Sequence, residues 1–361
     1  MMNPNPALAR TLEDSADKLA ETACELFLES LQGESAPAGR AIGSNVHQEW
    51  THHFKQRVLE LSAALAAGEE RLFTERVSWS RRAMRARQQE STTIHESLHS
   101  LRKALSVELD ENLLAEAISC IDAAIDEDNN RLPEEQVSRL EPGIPNQRLA
   151  LMYLQTALEG NTRQAMEIVL DAVDGGLAHA EAITDVLLPA QAEIGHLWHI
   201  DHITVAEEHL VTSTTHRLMA VIADRAPHAQ DRGITAVTAS ISGNVHDTGI
   251  RAISYLLEMQ GWRTIYLGGD VPRNDLPAAV HFFDADVVLL STALSSQLSK
   301  LRDSILAIRE VCEKDVRIMV GGNAFWDAPQ AWKAIGADGY TGDATSAINL
   351  AEALSGSQTR H

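Results

Sequence analysis

The part of the chain that most constrains its fold is residues 234–354, where apolar strand-like runs alternate with helix-like runs. The pattern predicts five strands, near 234–241, 262–268, 286–292, 317–321 and 339–342. Helices are predicted near 249–260, 274–283, 296–313, 328–335 and 344–354. Strands that alternate with helices form a parallel sheet with helices on both faces. We therefore predict an α/β domain over 233–356, with a flavodoxin-like parallel five-stranded sheet.

A second segment, residues 146–225, shows four helical patterns joined by short loops, which favours a four-helix bundle. Its helices are predicted near 146–159, 162–174, 179–199 and 205–224. A kink is expected at Pro189, since proline lacks the N–H that a helix interior needs. The fourth helix opens with Thr204 and, three residues later, Glu207, which is the pattern of a capping box.

The remaining segment, residues 1–140, is helical in pattern throughout and is predicted to form an all-α bundle of about four or five helices. Its stretch 33–43, which contains glycine and proline, is the expected loop. Two linkers are expected, at the proline-rich residues 132–147 and at residues 225–233. The chain is thus predicted to be multidomain, with successive parts over 1–140, 146–225 and 233–356.

The charge balance argues against a general nucleic-acid binder. Thirty basic against 51 acidic residues leave a formal net charge of −21, whereas phosphate backbones are neutralised by lysine and arginine. One short cluster could still form a local basic face: Arg81, Arg82, Arg85 and Arg87. We expect protein or small-molecule partners and no direct contact with nucleic acid.

Three cysteines, Cys24, Cys120 and Cys312, are odd in number and far apart, which predicts a reducing compartment and no disulfide framework. The N-terminus lacks the charged stretch and apolar core of a signal peptide. No run of about 18 apolar residues is present, so no membrane span is expected. These features together predict a cytoplasmic protein.

The most informative motif is Asn-Val-His-Asp-Thr-Gly at residues 244–249, between the first predicted strand and helix of the sheet. Ligands of parallel sheets bind at the carboxyl ends of the strands, where this loop lies. Its histidine, His246, is flanked by Gly243 and Gly249 and can offer an imidazole to a metal. The alternative is a helix-capping loop with an incidental histidine.

Two other kinds of doubly wound sheet fit less well. A dinucleotide-binding fold needs G-x-G-x-x-G after the first strand, and residues 242–246 do not supply it. A response-regulator receiver needs paired acidic residues there and a lysine after the fifth strand. Residues 241–247 contain only Asp247, and residues 339–344 contain no lysine.

Ser291 and the Gly321-Gly322 pair follow His246 at the ends of two later predicted strands. In this order the three features resemble the cobalamin-binding domain, whose pattern is D-x-H-x-x-G, then S-x-L, then G-G. The resemblance implies that cobalamin binds base-off, with His246 replacing the cofactor's own base below cobalt and Gly249 in the cofactor site. It also implies that Ser291 binds the displaced nucleotide tail, whose channel the glycine pair lines.

The chain departs from the family's pattern at two positions. Leu294 falls one residue later than the S-x-L spacing requires, so we assign it no role. Asn244, also counted in the cofactor site, stands two residues before the histidine, where the family usually has a carboxylate. A carboxylate would accept the imidazole N–H and raise the basicity of the ring, whereas an amide carries no charge. We therefore predict a weaker lower Co–N bond that is less coupled to protonation.

Trp198 and His199 end the third predicted helix of the bundle, and Glu208 and His209 lie at the start of the fourth. This order resembles the cap of the CarH-type photoreceptors, which hold adenosylcobalamin, and the resemblance extends over about 146–356. It implies that Trp198 packs over the adenosyl group and that Glu208 and His209 line the same upper pocket. It also implies that His199 can ligate cobalt once light has removed the adenosyl group. The alternative is a core tryptophan and a solvated helix start.

Two further groups of histidines are weaker candidates for metal sites. No H-E-x-x-H motif and no nearby cysteine supports zinc at the histidines around the hairpin, which are His196, His199, His202 and His209. His95 and His99 are four residues apart on a predicted helix, a spacing that allows ligation but is commoner for surface histidines.

These features predict a light sensor rather than an enzyme. Adenosylcobalamin would bind between bundle and sheet, with His246 below cobalt and Trp198 above it. Light would cleave the Co–C bond, and loss of the adenosyl group would shift the bundle, because a switch needs a ligand that distinguishes its two states. CarH-type repressors carry a winged-helix domain before the cap, whereas residues 1–140 show acidic-leaning helices of unknown role. We expect output through a protein partner, such as a transcriptional regulator, and a homo-oligomer.

Three alternatives stay open at this point. A corrinoid carrier of a methyltransferase system would need small apolar cap residues and a methyltransferase partner, so Trp198 and the helical N-terminal part count against it. An antirepressor of the AerR type agrees with a sensor and differs only in its output. A radical mutase is least favoured, since no substrate barrel precedes the cobalamin domain in this chain.

Overall fold

The computed structural model describes residues 2–33, 44–87, 92–109, 111–127, 138–227, 229–312 and 315–356. The chain divides into two compact units. The first comprises Met1–Pro133 together with Leu294–Ser299 and Asn323–Ala334. The second comprises Glu134–Ala293, Lys300–Gly322 and Ile335–His361. The three domain boundaries drawn from the sequence stay predictions, because a compact unit does not show which segment folds by itself.

The described residues include only part of the expected loop and of the expected first linker. Residues 34–43 of the expected loop and residues 132–137 of the expected first linker lie outside the described residues. All three cysteines lie within them, and none is in a disulfide. No helix in the described ranges is both long and apolar enough to cross a membrane.

In the first unit, the described part of the N-terminal segment forms six helices rather than the four or five predicted. They are α1 (Pro6–Asp14), α2 (Ala16–Gly33), α3 (Ser44–Ala67), α4 (Arg71–Ala86), α5 (Thr92–Glu108) and α6 (Glu111–Glu127). Helical periodicity does not mark the break at Ser15, the one residue between the end of α1 at Asp14 and the start of α2 at Ala16. Phe27, Phe54 and Phe73 are fully buried in the core of this bundle.

The predicted basic cluster does not form one surface. Arg81 is only 3% exposed and donates from Nη1 to the carbonyl oxygen of Ala124 at 2.8 Å. It therefore joins α4 to α6 inside the bundle and does not contribute to a basic face.

The second unit begins with the predicted helical bundle: α7 (Pro145–Leu158), α8 (Thr162–Asp174), α9 (His179–Glu181), α10 (Leu188–His199) and α11 (Val205–Arg225). A π-helical turn, Ala182–Leu187, joins α9 to α10, so the third predicted helix is continuous. The π-helical turn ends two residues before Pro189, where a kink was expected. The helix is therefore irregular just before Pro189 because its type changes locally from π to α. The capping box is confirmed, since Thr204 N donates to Glu207 Oε2 at 2.7 Å and Glu207 N donates to Thr204 Oγ1 at 3.3 Å.

The sheet has five parallel strands in the order β2-β1-β3-β4-β5, which confirms the predicted flavodoxin-like class. The strands are β1 (Thr235–Ser240), β2 (Arg263–Tyr266), β3 (Val287–Ser291), β4 (Arg317–Gly321) and β5 (Gly339–Tyr340). The helices are α12 (Thr248–Met259), α13 (Asp275–Phe282), α14 (Leu298–Val311) and α15 (Ala344–Gly356). Because β1 lies between β2 and β3, the strand order reverses there, and a crevice is expected at the carboxyl ends of β1 and β3.

The helix predicted near 328–335 is wrong. This stretch contains only a three-residue 3-10 turn, Ala331–Lys333. Pro329 cannot donate a backbone hydrogen bond, and Gly336, with a φ of +78°, ends the segment. Too few residues remain between them for a stable α-helix.

A shared core joins the bundle to the sheet within the second unit. Ala252 of α12 is completely buried among bundle residues, and Tyr255 and Met259 of the same helix pack against that core. Residues three and seven positions apart lie on one helix face. That face of α12 therefore packs on the bundle, and the loop that precedes α12 is the one that carries His246.

Candidate functional site

Asn244 fixes the backbone of the loop that carries His246. Its side chain is fully buried, and Nδ2 donates to Ser291 O at 3.2 Å, to Ser240 Oγ at 3.1 Å and to His246 O at 3.4 Å. Its Oδ1 accepts the backbone N–H of His246 at 3.3 Å. The amide oxygen therefore holds the backbone of His246, whereas a family carboxylate is expected to hold the ring. The weaker lower Co–N bond stays a prediction.

The imidazole of His246 is exposed at the carboxyl end of β1. The loop reaches this position through Gly243, whose φ is +83° and whose N–H donates to Asp270 Oδ1 at 2.6 Å. An exposed imidazole on a backbone that is fixed at both ends suits a metal ligand. Gly249, in the first turn of α12, is exposed, and a Cβ there would meet no atom within 4 Å. Packing within the protein does not require this glycine, and its place in the cofactor site stays a prediction.

Ser291 and the glycine pair lie beside this loop because β1, β3 and β4 are in register at their carboxyl ends. Ser291 pairs with Ser240 on one side and with Gly321 on the other. Gly322 has a φ of +101°, and a Cβ there would lie 2.2 Å from Thr292 O. Only glycine fits, since a β-carbon at that distance would overlap the carbonyl oxygen. The close contact between the backbones at Gly322 and Thr292 therefore requires a glycine at position 322, whether or not a ligand also does.

Asp247 is the charged residue of this site to which the motif analysis gave no role. Its side chain is 13% exposed and accepts hydrogen bonds from Tyr266 Oη and from Arg251 Nη2, the latter at 2.9 Å. Burial acts to raise the pKa of Asp247, but the Tyr266 hydrogen bond and the charge of Arg251 outweigh it, so the pKa is lowered. The i, i+4 spacing of Asp247 and Arg251 is a signal by which this pair could have been found.

His216 of α11 reaches the same loop from the bundle. Its Nε2 lies 2.7 Å from Thr248 Oγ1 and 3.7 Å from Asp247 Oδ1. Burial and then the charge of Arg251 lower the pKa of His216, so its ring is neutral at neutral pH. The sequence carries no signal for this contact, because His216 precedes Thr248 by 32 residues and belongs to no motif.

The predicted cap residues lie on the hairpin between α10 and α11. Trp198 is half-buried and His199 is buried, both in the last turn of α10. Glu208 is half-buried, and its Oε1 accepts a hydrogen bond from Thr212 Oγ1 at 2.6 Å. His209 is exposed, and its Nε2 lies 3.5 Å from Glu208 Oε2. The lid role of Trp198 and the ligand role of His199 stay predictions.

Further contacts fix the hairpin and relate Glu208 to the ligand loop. Gln191 Nε2 of α10 donates to Thr212 Oγ1 at 2.8 Å, and Thr212 in turn donates to Glu208. The charges of Asp247 and Glu208 both act on the pKa of His216. Glu208 of the predicted cap and Asp247 of the ligand loop therefore both lie near enough to His216 to influence its charge.

Within the described ranges, no three His, Cys, Asp or Glu side chains come together as a metal-binding group. The Nε2 atoms of His95 and His99 are 3.0 Å apart, so these two rings form a hydrogen-bonded pair. A cobalamin would bring its own bound cobalt, so a single protein imidazole such as that of His246 would not need such a cluster.

The residues present fit a corrinoid. His246 offers an exposed imidazole from a fixed loop, and Ser291 and Gly321-Gly322 lie at the same sheet edge. These are the residues that would hold the group. The fold and the site together thus define a protein class: a cobalamin-binding protein in which a helical cap precedes a Rossmann-like domain.

Comparison with known families agrees with this class. Residues 234–350 match the family model of the B12 binding domain, and residues 150–223 match a second model with the same description. The first match covers the sheet, and the second covers the bundle from α7 to α11. The chain belongs to the B12-binding family, and both matches support cobalamin binding.

The relatives include proteins of two kinds. Dimethylamine corrinoid protein 3 of Methanosarcina mazei is 33% identical over 120 residues, which cover 33% of this chain and 70% of that protein. Its namesake in Methanosarcina acetivorans is 29% identical over 198 residues, with 52% and 90% covered. The HTH-type transcriptional repressor CarH of Myxococcus xanthus is 31% identical over 156 residues. That alignment covers 43% of this chain and only about half, 52%, of the repressor.

A solved structure shows the same fold. The monomethylamine corrinoid protein of Methanosarcina barkeri superposes with a TM-score of 0.52 at 19% sequence identity. The match covers 58% of this chain and 99% of that protein. At this identity the likeness concerns the fold alone.

Proposed function

We propose that the protein is a light sensor that binds adenosylcobalamin and is not itself an enzyme. The observation that carries the proposal is the hairpin between α10 and α11, with Trp198 and His199 on one helix and Glu208 and His209 on the next. This order resembles the cap of the CarH-type photoreceptors, and a CarH repressor is among the relatives.

Each residue of the site has a role in this proposal. When bound, adenosylcobalamin supplies a Co–C bond that light breaks, which removes the adenosyl group. His246 holds the metal from the loop after β1, and Asn244 keeps that loop in place. Trp198 covers the upper side and shields it from water, with Glu208 and His209 beside it. His199, next to Trp198 in the chain, is the residue that would bind the metal from above after illumination.

The proposed output is a change in protein–protein contacts. A net charge of −21 opposes binding to nucleic acid, and Arg81 of the one basic cluster is buried. The expected partner is a transcriptional regulator or another signalling protein, and the expected assembly is a homo-oligomer in the cytoplasm. An output of the antirepressor type is consistent with the same site.

A second candidate function is a corrinoid carrier of a methyltransferase system. It is favoured by the dimethylamine corrinoid proteins, one of which is matched over 90% of its length. The half-buried Trp198 counts against it, because a methyl group needs a much smaller cap than an adenosyl group. The helices α1 to α6, which lie outside both matched family regions, are also unexplained by a carrier.

The test is to load the protein with adenosylcobalamin in darkness and illuminate it, with a matched His199→Ala variant. We expect a photoproduct spectrum in the wild type that differs from that of photolysed free cofactor, together with a changed elution volume. The His199→Ala photoproduct should resemble the free one.

A wild-type photoproduct identical to that of free cofactor, with no change in elution, would contradict the sensor. An identical spectral and elution response in wild type and His199→Ala would contradict only the role of His199 as the upper ligand. Methylation of the bound corrinoid by a methyltransferase, without any light response, would favour the carrier.

A further inference from the structure

Two loops of the cobalamin-binding segment belong to the first compact unit and not to the second. They are Leu294–Ser299, which follows β3, and Asn323–Ala334, which follows β4. We call them the β3 loop and the β4 loop. Both lie within the stretch matched as the B12 binding domain, yet they pack with the N-terminal helices. The N-terminal helices therefore pack with parts of the stretch that matches the B12 binding domain.

The β3 loop is tightly held in that unit. Ser295 is 2% exposed, and its Oγ donates to the carbonyl oxygen of Leu72 in α4 at 3.2 Å. Ser296 and Gln297 are also buried, and the 3-10 turn that these three residues form packs against α3. Ser296 Oγ, in contrast to Ser295 Oγ, has no hydrogen-bond partner among the described residues. The two adjacent serines thus differ in one hydrogen bond to α4.

The β4 loop is held by apolar burial, and its one acidic side chain lies among charged residues of α4. Phe325 is completely buried and Ala328 is 2% exposed. Burial raises the pKa of Asp327, and the charge of Glu75 adds to it, while Arg71, Arg76 and Arg82 act in the opposite direction. All four of these charged residues are on α4. The β4 loop also contacts the β3 loop, so the two loops form one structural block with α3 and α4.

Only very short stretches of chain connect this block to the residues of the predicted tail site. Leu294 follows Ser291 after only two intervening residues, and Asn323 is bonded directly to Gly322. A segment of three residues spans at most about 10 Å even when extended. The backbone at Gly322 admits no side chain, and Thr292 N donates to Gly321 O at 3.1 Å. Ser291 and Gly322 are therefore joined to the two loops by two residues and by a single peptide bond, respectively.

We propose that the N-terminal helical unit senses the nucleotide tail of cobalamin, through the β3 and β4 loops that it shares with the cobalamin-binding segment. Insertion of the tail beside Ser291 and Gly321-Gly322 fixes the backbone from which these two loops begin and thereby further stabilises α3 and α4. The inference rests on the corrinoid-binding part of the proposed function and not on its photochemistry. It gives the N-terminal helices a role as the element that reports whether a tailed corrinoid is bound.

The test compares hydroxocobalamin with cobinamide, a corrinoid that lacks the nucleotide tail. Hydrogen exchange of the full chain is followed by mass spectrometry in darkness, with corrinoid uptake checked by absorption. With hydroxocobalamin we expect exchange in peptides from α3 and α4 to slow about fivefold or more, within the ordinary range of coupling between sites. With cobinamide bound, exchange in the same peptides should match the protein without corrinoid.

The adjacent serines provide a matched pair of variants. Ser295→Ala removes the hydrogen bond to Leu72 O and should reduce the slowing caused by hydroxocobalamin at least about threefold, as loss of one hydrogen bond allows. Ser296→Ala removes a buried hydroxyl that makes no such bond and should keep the full effect. The comparison of the two corrinoids in the wild type needs no variant, so a folding defect in either cannot hide the answer.

Several results would overturn the inference. Unchanged exchange in α3 and α4 with stoichiometric hydroxocobalamin bound would show that the unit does not sense the ligand. Equal slowing by hydroxocobalamin and cobinamide would show that the tail is not what is sensed. Absence of a light response, by contrast, would contradict the proposed sensor and leave this inference untouched, because every measurement is made in the dark.

Discussion

At the scale of single residues, Asn244 shows how an amide functions where the family usually has a carboxylate. Its N–H groups face the carbonyl oxygens of His246 and Ser291, which are acceptors only. An ionised carboxylate in this fully buried position would face both oxygens without a hydrogen to donate. The amide therefore fixes the backbone of the ligand loop and ties it to the end of β3.

Asn244→Asp should lower the free energy of unfolding at neutral pH by about 3 kcal/mol, because buried acceptors lose their donor and a charge is added. The measurement is urea unfolding of the variant and the wild type. Asn274→Asp, at an exposed position before α13, is the matched control and should change stability little. Equal stability of Asn244→Asp and the wild type would show that the amide does not hold the loop.

The two motif glycines should respond differently to alanine. Gly322→Ala should prevent folding or lower the free energy of unfolding by more than about 3 kcal/mol, because its Cβ would overlap Thr292 O.

Gly249→Ala has free space and lies in a helix, so the free energy of unfolding should rise by up to about 1 kcal/mol. If the glycine is kept for a ligand, cobalamin affinity of Gly249→Ala should nevertheless fall about tenfold, as measured by absorption titration. Unchanged affinity would remove Gly249 from the site.

His53 of α3 should make the first unit sensitive to acid. Its Nε2 is buried without a partner among the described residues, and burial, then repulsion from Arg57 and His52, lowers its pKa to about 3. Protonation therefore favours the unfolded state. Stability from this residue is complete above the unfolded pKa of 6.5 and is lost as the pH falls towards 3. At pH 5 the loss is about 2 kcal/mol.

His53→Gln should lose about 2 kcal/mol less than the wild type between pH 7 and pH 5 in urea unfolding, since it cannot be protonated. His52→Gln, an exposed neighbour on the same helix, is the control and should follow the wild type. The account of His53 is wrong if both variants show the wild-type acid response.

At the scale of secondary-structure elements, strong patterns predicted the fold and weak ones did not. The five strands and the helices α12 to α15 lie where apolar periodicity placed them, and Thr204 with Glu207 forms the predicted cap. The helix near 328–335 failed because Pro329 and Gly336 leave too short a segment. The π turn before Pro189 depends on a choice between helix types that hydrophobic periodicity does not encode.

The capping box should govern the stability of the hairpin that carries the proposed lid. Thr204→Ala removes the acceptor of Glu207 N and should cost about 1 kcal/mol of unfolding free energy. Ser213→Ala, at an exposed position within α11, should be neutral or slightly stabilising. Thermal unfolding of both variants gives the comparison. A Thr204→Ala protein as stable as Ser213→Ala would show that the cap does not stabilise α11.

At the scale of the whole molecule, contacts between distant segments escaped the sequence. The order His246, Ser291 and Gly321-Gly322 predicted one sheet edge correctly, since parallel strands end on the same side. The contact of His216 with Thr248 and the inclusion of the β3 and β4 loops in the first unit have no local signal. They depend on packing between segments far apart in the chain. The sequence therefore predicted those site residues that the common end of parallel strands brings together, and it missed those that meet only by packing between distant segments.

The claim on which the account depends is that a histidine of the protein, His246, holds cobalt from below. The most direct test is electron paramagnetic resonance of the Co(II) cobalamin-bound protein, labelled with 15N-histidine and loaded with unlabelled cofactor. A lower imidazole from the protein predicts that each nitrogen splitting changes from three lines to two on labelling, and that His246→Ala loses this change. Three-line splitting that persists in the labelled protein would mean that the cofactor's own base stays on cobalt, which contradicts the assigned role of His246.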